Sequence, residues 1–192
     1  MPEPLDDIEL MTRVREGDAE AFAMIVERHQ HRVVGTIAKM LGSVTEAEDV
    51  AQQVFLRVWR SAPRWKPTAK FTTWLLTITR NLVFNEVRRQ KRSRTSSLDE
   101  ESEQNMPERE DVSVISPAQE LANRELEQVI DAAIAELGEQ SRMALILRRY
   151  EELPYEEIAE ILGTTVPAVK SLLFRARTEL RARLSAYLNE SP

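Results

Sequence analysis

Residues 93–117, SRTSSLDEESEQNMPEREDVSVISP, set the strongest limit on how this chain can fold. The stretch is poor in apolar residues, rich in serine and acid, and has no helical period. Such a segment cannot bury enough surface to offset the entropy of ordering it, so it reads as a flexible acidic linker. It divides the chain into units of residues 1–92 and 118–192. A length of 192 residues, 42% hydrophobic and 30% charged, gives enough apolar surface for one or two modest cores. Five glycines are too few for a turn-dense β chain, while Ala, Leu, Glu and Arg abound. The fold class that follows is all-α: two small helical domains on a tether.

Composition also excludes chemistry. With no cysteine, disulfide scaffolds, thiolate metal sites and cysteine nucleophiles are ruled out. Two histidines, His29 and His31, are a poor basis for a metal centre. No apolar run approaches the ~20 residues of a membrane span, and the acidic start (Glu3, Asp6, Asp7) is no signal peptide. There is no glycine-rich phosphate loop, no Ser/His/Asp set and no HExxH. The chain reads as a cytoplasmic, non-enzymatic protein with no metal, no cofactor and no membrane insertion.

A net charge of −6 argues against a nucleic-acid partner, but the charges are segregated. Arg80, Arg88, Arg89, Lys91, Arg92 and Arg94 are six cations in fifteen residues; seven anions follow between Asp99 and Asp111. Lys170, Arg175, Arg177, Arg181 and Arg183 then make the C-terminal segment basic again.

Local signals place the helices. Asp18 and Gly42 bracket one over Ala19–Leu41, with Phe22, Ile25, Val26, His29, Val33, Ile37 and Leu41 as its apolar stripe. A shorter helix around Leu5–Glu16 precedes it. Thr45, with Glu48 as a capping box, opens a third helix to about Ser61, and a fourth runs from Phe71 to Arg92 with Leu75, Ile78 and Leu82 inward. In the second unit, helices are expected from Pro117 to Leu137 with Gly138 as its stop, from a Ser141 cap to Tyr150, over Tyr155–Leu162, and from a Thr165 cap to Leu188.

Three constellations carry function. Glu157-Ile158-Ala159-Glu160-Ile161-Leu162-Gly163-Thr164-Thr165 before a basic helix has the form of a helix-turn-helix. Pro167, Ala168, Lys170 and Ser171 would face base edges, with Arg175 and Arg177 on phosphates or packed back. The plain alternative is an ordinary helical hairpin. Next, Phe71, Thr72 and Trp74 lead through Arg80 and Asn81 into Arg88 and Arg89, a set suited to single-stranded DNA. Equally, the aromatics can be core and the arginines a solvated helix end. Last, the helix with Asp49, Gln52, Gln53, Val54, Phe55, Arg57, Val58 and Trp59 is apolar on more than one face. Either it offers a partner surface or it is buried in a bundle.

In this order the constellations resemble bacterial RNA polymerase sigma factors of the extracytoplasmic-function (ECF) group, over nearly all of Leu10–Leu184. Asp49, Gln52, Phe55 and Trp59 are similar to the helix that docks on core polymerase, a set that also takes in Gln53 and Arg57. Phe71, Trp74, Leu75, Ile78, Arg80, Asn81 and Arg88 are similar to the helix that recognises and melts the −10 element. With them go Lys66, Lys70, Thr72, Asn85 and Arg89, and the loop Lys66–Lys70 would form a pocket for an unstacked base. Glu157-Ile158-Ala159 and Val169-Lys170-Ser171 with Arg175-Ala176-Arg177 are similar to the −35 reader, opened by Thr165. Gln53 stands where an acid is common, Asn85 where Asp is frequent, and Leu172 where Arg is frequent. Pro167-Ala168 replaces a Gly-Thr type pair.

The resemblance implies a promoter-specificity subunit with core RNA polymerase, duplex −35 DNA and single-stranded −10 DNA as partners, and no catalysis of its own. It also implies an anti-sigma protein that holds the two units closed. A free-standing helix-turn-helix regulator that binds duplex DNA without polymerase is the competing reading. A purely protein-binding adaptor would leave the basic segments unexplained.

Overall fold

The computed structural model describes residues 5–96 and 129–190. The expected linker beyond Ser96 and the expected helix start at Pro117 lie outside them. The architecture is all-α: α1 (Asp7–Arg15), α2 (Ala19–Leu41), α3 (Val44–Ser61), a 3-10 turn (Ala62–Arg64) and α4 (Phe71–Ser96) form the first unit. The second holds α5, described over residues 129–135, then α6 (Glu139–Arg149), α7 (Tyr155–Leu162) and α8 (Val166–Glu190).

Caps set most boundaries. Asp6 and Glu9 form a reciprocal capping box on α1, with Glu9 N donating to Asp6 Oδ1 at 2.7 Å and Asp6 N to Glu9 Oε2 at 3.0 Å. Asp18 Oδ1 accepts from Ala21 N at 3.0 Å, and Gly42 ends α2 in the left-handed region at φ 76°. Three expected boundaries are corrected. Ser43, not Thr45, caps α3, its Oγ accepting from Glu46 N at 3.3 Å; it comes straight out of the Gly42 turn in extended backbone, leaving Thr45 inside the helix. Gly138 is the N-cap of α6 rather than the stop of α5, so Ser141 falls inside α6 and is buried. And α4 continues past Arg92 to Ser96.

The units do not keep separate cores. One cluster of buried side chains runs from Leu10, Ile25, Ile37, Val54 and Leu75 through Met143, Ile146, Ile158 and Ile161 to Leu173. The cause lies in α4 and α2, which pack on α7 and α6 respectively besides their own bundle. Leu75 is fully buried as expected, but Leu76, Thr79, Val83, Phe84 and Val87 are buried too, more than one stripe can hold. Polar ties cross the same boundary. Arg142 of α6 donates through Nη1 to Met40 O at 2.7 Å, at the electronegative end of α2, and burial pushes its guanidinium pKa down. Glu151 takes Arg32 Nε at 2.7 Å and the Thr36 hydroxyl at 3.1 Å. His29, buried in α2, places Nε2 3.0 Å from Asp7 Oδ2 and its ring 5.1 Å from Phe71, joining α1, α2 and α4.

The Asp18 cap carries a pH signature. The Ala21 amide first, then the Arg13 side chain, hold its carboxyl below the ordinary carboxylate range. A group whose pKa is lower in the folded state contributes stability above its unfolded value and loses it as pH falls through the folded one. Asp18→Ala should therefore lower Tm at pH 7, with the gap to the parent chain narrowing in acid through that range. A gap constant with pH in thermal melts would contradict this role.

Candidate nucleic-acid interface

In the second unit, α7 and α8 meet across a short turn. Gly163 adopts φ 63°, Thr164 N donates to Ala159 O at 2.9 Å, and Thr165 Oγ1 accepts from Ala168 N at 3.4 Å as the expected cap. Ala159, buried at the crossing, lets the two helices approach. Val169, Leu172, Leu173 and Ala176 face inward, while Pro167, Lys170, Ser171, Arg175 and Arg177 are exposed and Ala168 is half-buried. Ser171 Oγ donates to Pro167 O at 3.1 Å. Sequence reasoning missed Phe174, which is 71% exposed one turn beyond Lys170 and Ser171. Its signal was present: it lies off the apolar stripe of α8. A bare aromatic ring among cations is suited to the methyl-bearing edge of thymine in a major groove.

In the first unit, α4 does not present all its candidate residues to solvent. Phe71 is buried, Thr72 and Trp74 are half-buried, and Asn81, Asn85, Arg88, Arg89 and Lys66 are exposed. Arg80 lies against the second unit: Nε donates to Ile161 O at 2.9 Å, and a Cβ at Gly163 would sit 3.5 Å from its Nη2. Burial pushes its pKa down, with Arg88 adding repulsion. Lys70 Nζ pairs with Glu157 at 2.5 Å, and Arg88 and Lys91 face Glu139 at 3.8 and 3.1 Å. Arg89 pairs within its own helix with Glu86 at 2.7 Å.

The loop Lys66–Lys70 does not line the cavity in this region. A space of about 430 Å³ opens beside it instead, between Arg57, Arg60, Ser61, Arg64, Trp65 and Trp74. The two indoles are 6.3 Å apart, so aromatic walls and three guanidinium groups converge on one space. Arg57, grouped by sequence with the polymerase set, borders this cavity.

Of the two readings of α3, burial in a bundle accounts for most of its apolar residues. Val54, Phe55 and Val58 are all buried, and Trp59 is half-buried against Phe22 at 5.0 Å, because α2 and α4 both pack on α3. The apolar group left outside is Leu56, 52% exposed, beside the exposed Asp49, Gln52 and Gln53. A groove of about 490 Å³ adjoins it between α2 and α3, lined by Phe22, Val26, Val34, Ala51, Phe55 and Leu56 among others. Among the described residues, no group of three or more His, Asp or Glu side chains could hold a metal ion, and no helix is long and apolar enough to cross a membrane.

Comparison with known proteins places both units. Residues 25–93 match the family model Sigma-70 region 2, and residues 127–180 match Sigma-70, region 4. The chain is 33% identical over 189 residues to the RNA polymerase sigma-H factor of Pseudomonas aeruginosa, covering 96% of this chain and 97% of that protein. It is 35% identical over 179 residues to the ECF RNA polymerase sigma-E factor of Escherichia coli K12, covering 92% and 93%. Among solved structures, the sigma factor RpoE in complex with the anti-sigma factor NepR from Bartonella quintana is similar in fold, with TM-score 0.70, 21% identity and coverage of 87% and 98%. CnrH in complex with the cytosolic domain of CnrY gives TM-score 0.67, 22% identity and coverage of 92% and 96%.

The two faces of α8 predict opposite outcomes for neighbouring substitutions. Leu172→Arg would place an unpaired cation in the core and cost about 3 kcal/mol of stability. Phe174→Ala should change stability by no more than about 0.5 kcal/mol. Urea unfolding of the two variants measures this; similar losses in both would mean the helix is rotated.

Proposed function

The chain belongs to the sigma-70 family, in its extracytoplasmic-function group, and from that premise we propose how its surfaces divide the work. It is a promoter-specificity subunit that binds core RNA polymerase, recognises −35 and −10 elements and helps melt the promoter. The family is one of non-enzymatic initiation factors. We assign polymerase docking and −10 recognition to residues 1–92 and −35 recognition to residues 118–192, with the segment from 93 to 117 as the connection. The observation that carries this division is the order of the two sigma-70 regions, one over each basic helix. A free-standing regulator leaves the first region without a purpose.

Core polymerase is read as the partner of α3, through Asp49, Gln52, Gln53 and the exposed Leu56. The −10 strand is read as the ligand of α4. Asn81, Asn85 and Arg88 follow its backbone and bases, and an unstacked base enters between Trp65 and Trp74 with Arg57, Arg60 and Arg64 on the phosphates. Duplex −35 DNA is read by Lys170, Ser171 and Phe174 on base edges, with Arg175 and Arg177 on phosphate. A cytoplasmic site of action follows from these partners. An anti-sigma protein as regulator is supported by the two structural neighbours, both solved with such proteins or with a cytosolic domain bound.

Two outcomes test the assignments. Leu56→Glu and Asp49→Arg sit on exposed positions, so both variants should fold normally yet fail to co-elute with core polymerase. Loss of a central interface contact of about 2 kcal/mol weakens binding roughly thirtyfold. Undiminished co-elution would remove α3 from the docking surface. Lys170→Ala or Phe174→Ala should relax preference at one −35 base pair, for about 1–3 kcal/mol, whereas Arg175→Ala should weaken all promoters alike and lower the salt slope by about one. The reverse pattern in promoter-selection experiments would contradict the orientation of α8.

A further inference from the structure

Lys170 is the most flexible of the side chains assigned above to base edges, yet its head group is engaged within the protein. Its Nζ lies 6.0 Å from the centroid of the Tyr155 ring, within reach of the negative face of that ring. It makes no ion pair among the described residues, although Glu156 and Glu160 stand exposed on the helix that carries the ring. Nor does it lie over Phe174, the exposed aromatic one turn further along its own helix. The contact ties the start of α7 to the reading face of α8.

The ring itself is held in place. Tyr155 opens α7 directly after Pro154 and packs half-buried against the core. Arg148, in the last turn of α6, puts its guanidinium carbon 5.2 Å from the same ring centroid and donates through Nη1 to Leu153 O at 2.9 Å. Leu153 N donates back to Leu147 O at 3.1 Å, so the entry into α7 is fixed by backbone and side chain together. The Tyr155 hydroxyl makes no hydrogen bond among the described residues, which leaves the ring face as its contribution. Two cations therefore meet at one ring, and without its electron-rich face they would only repel.

We propose that Tyr155 is a positioning residue for −35 recognition, whose ring pre-organises Lys170 for its base contact. A lysine on a bare surface has many rotamers, and a contact with one base edge must offset the loss of most of them. A side chain already restrained loses less, and the correct base gains the difference. At 6.0 Å the contact lies at the outer limit for a cation and a ring, so it narrows the range of Lys170 without locking the ammonium away from a groove. The inference rests on Lys170 being a base reader, as assigned above.

The test uses the full chain with core polymerase on promoters randomised at the −35 element. Tyr155→Leu keeps an apolar body and removes the ring. It should cut discrimination about two- to fivefold at the base pair that Lys170→Ala relaxes, and leave the other positions unchanged. Added to Lys170→Ala, it should change nothing further. Tyr155→Phe keeps the ring face and should retain the parent preference. Pentafluorophenylalanine in place of Tyr155 has nearly the shape of phenylalanine and the opposite ring charge, and should behave as Tyr155→Leu; this pair carries the comparison should the leucine variant fail to fold. Equal preference in the phenylalanine and pentafluorophenylalanine chains would overturn the proposal and leave packing as the role of Tyr155. So would a Tyr155→Leu effect that persists without Lys170. If Lys170→Ala relaxes a position that both ring-altered chains still read, the proposal alone falls. If Lys170→Ala leaves −35 preference unchanged, Lys170 is no base reader, and the assignment on which the proposal rests falls with it.

Discussion

Helix α4 has to satisfy two surfaces at once, and that constraint organises the molecule. Its Leu75 and Val83 fill the core of the first unit, while Thr73 and Arg80 are engaged by α7. Lys70, Arg88 and Lys91 lie at its exposed edge. A helix apolar on one stripe would leave those cations in solvent. Burial on a second side brings carboxylates of the other unit against them, at Glu157 and Glu139. The joint core and the ion pairs between the units are thus one consequence of the same width of apolar surface on α4.

Local chemistry was legible in the sequence where it depends on residues within one turn. Asp18, Gly42, Gly163 and Thr165 cap or stop helices as their side-chain oxygens and left-handed backbones require. Ser43 was misassigned because Thr45 and Glu48 imitate a capping box, and only the direction of the chain leaving Gly42 decides between them. On α8, Val169, Leu172, Leu173 and Ala176 recur at the three- and four-residue spacing of an inward face, and all four are buried. Phe174 and Leu56 were legible too, as apolar residues off the stripe, but they read as background until their exposure is known.

Contacts between the units were not legible. Arg80 and Ile161 are 81 positions apart, and the bond uses a backbone carbonyl that has no sequence signature. Glu157 sits on a helix rich in exposed acids, where Glu156 and Glu160 have the same composition and the opposite environment. The Trp65–Trp74 cavity joins the end of α3 to the start of α4 across an irregular loop, so its arginines fall on no single helical face. The identity of the chain came instead from the order of modest motifs, each weak alone and specific together.

The central claim is that this chain directs core RNA polymerase to promoters that have two separate elements. In vitro transcription from a randomised promoter library, with core polymerase and the purified chain, tests it most directly. The account predicts transcripts that depend on the chain and share two conserved blocks, one read as duplex and one melted. Tight, sequence-specific duplex binding by the chain alone, with no chain-dependent transcripts, would contradict it.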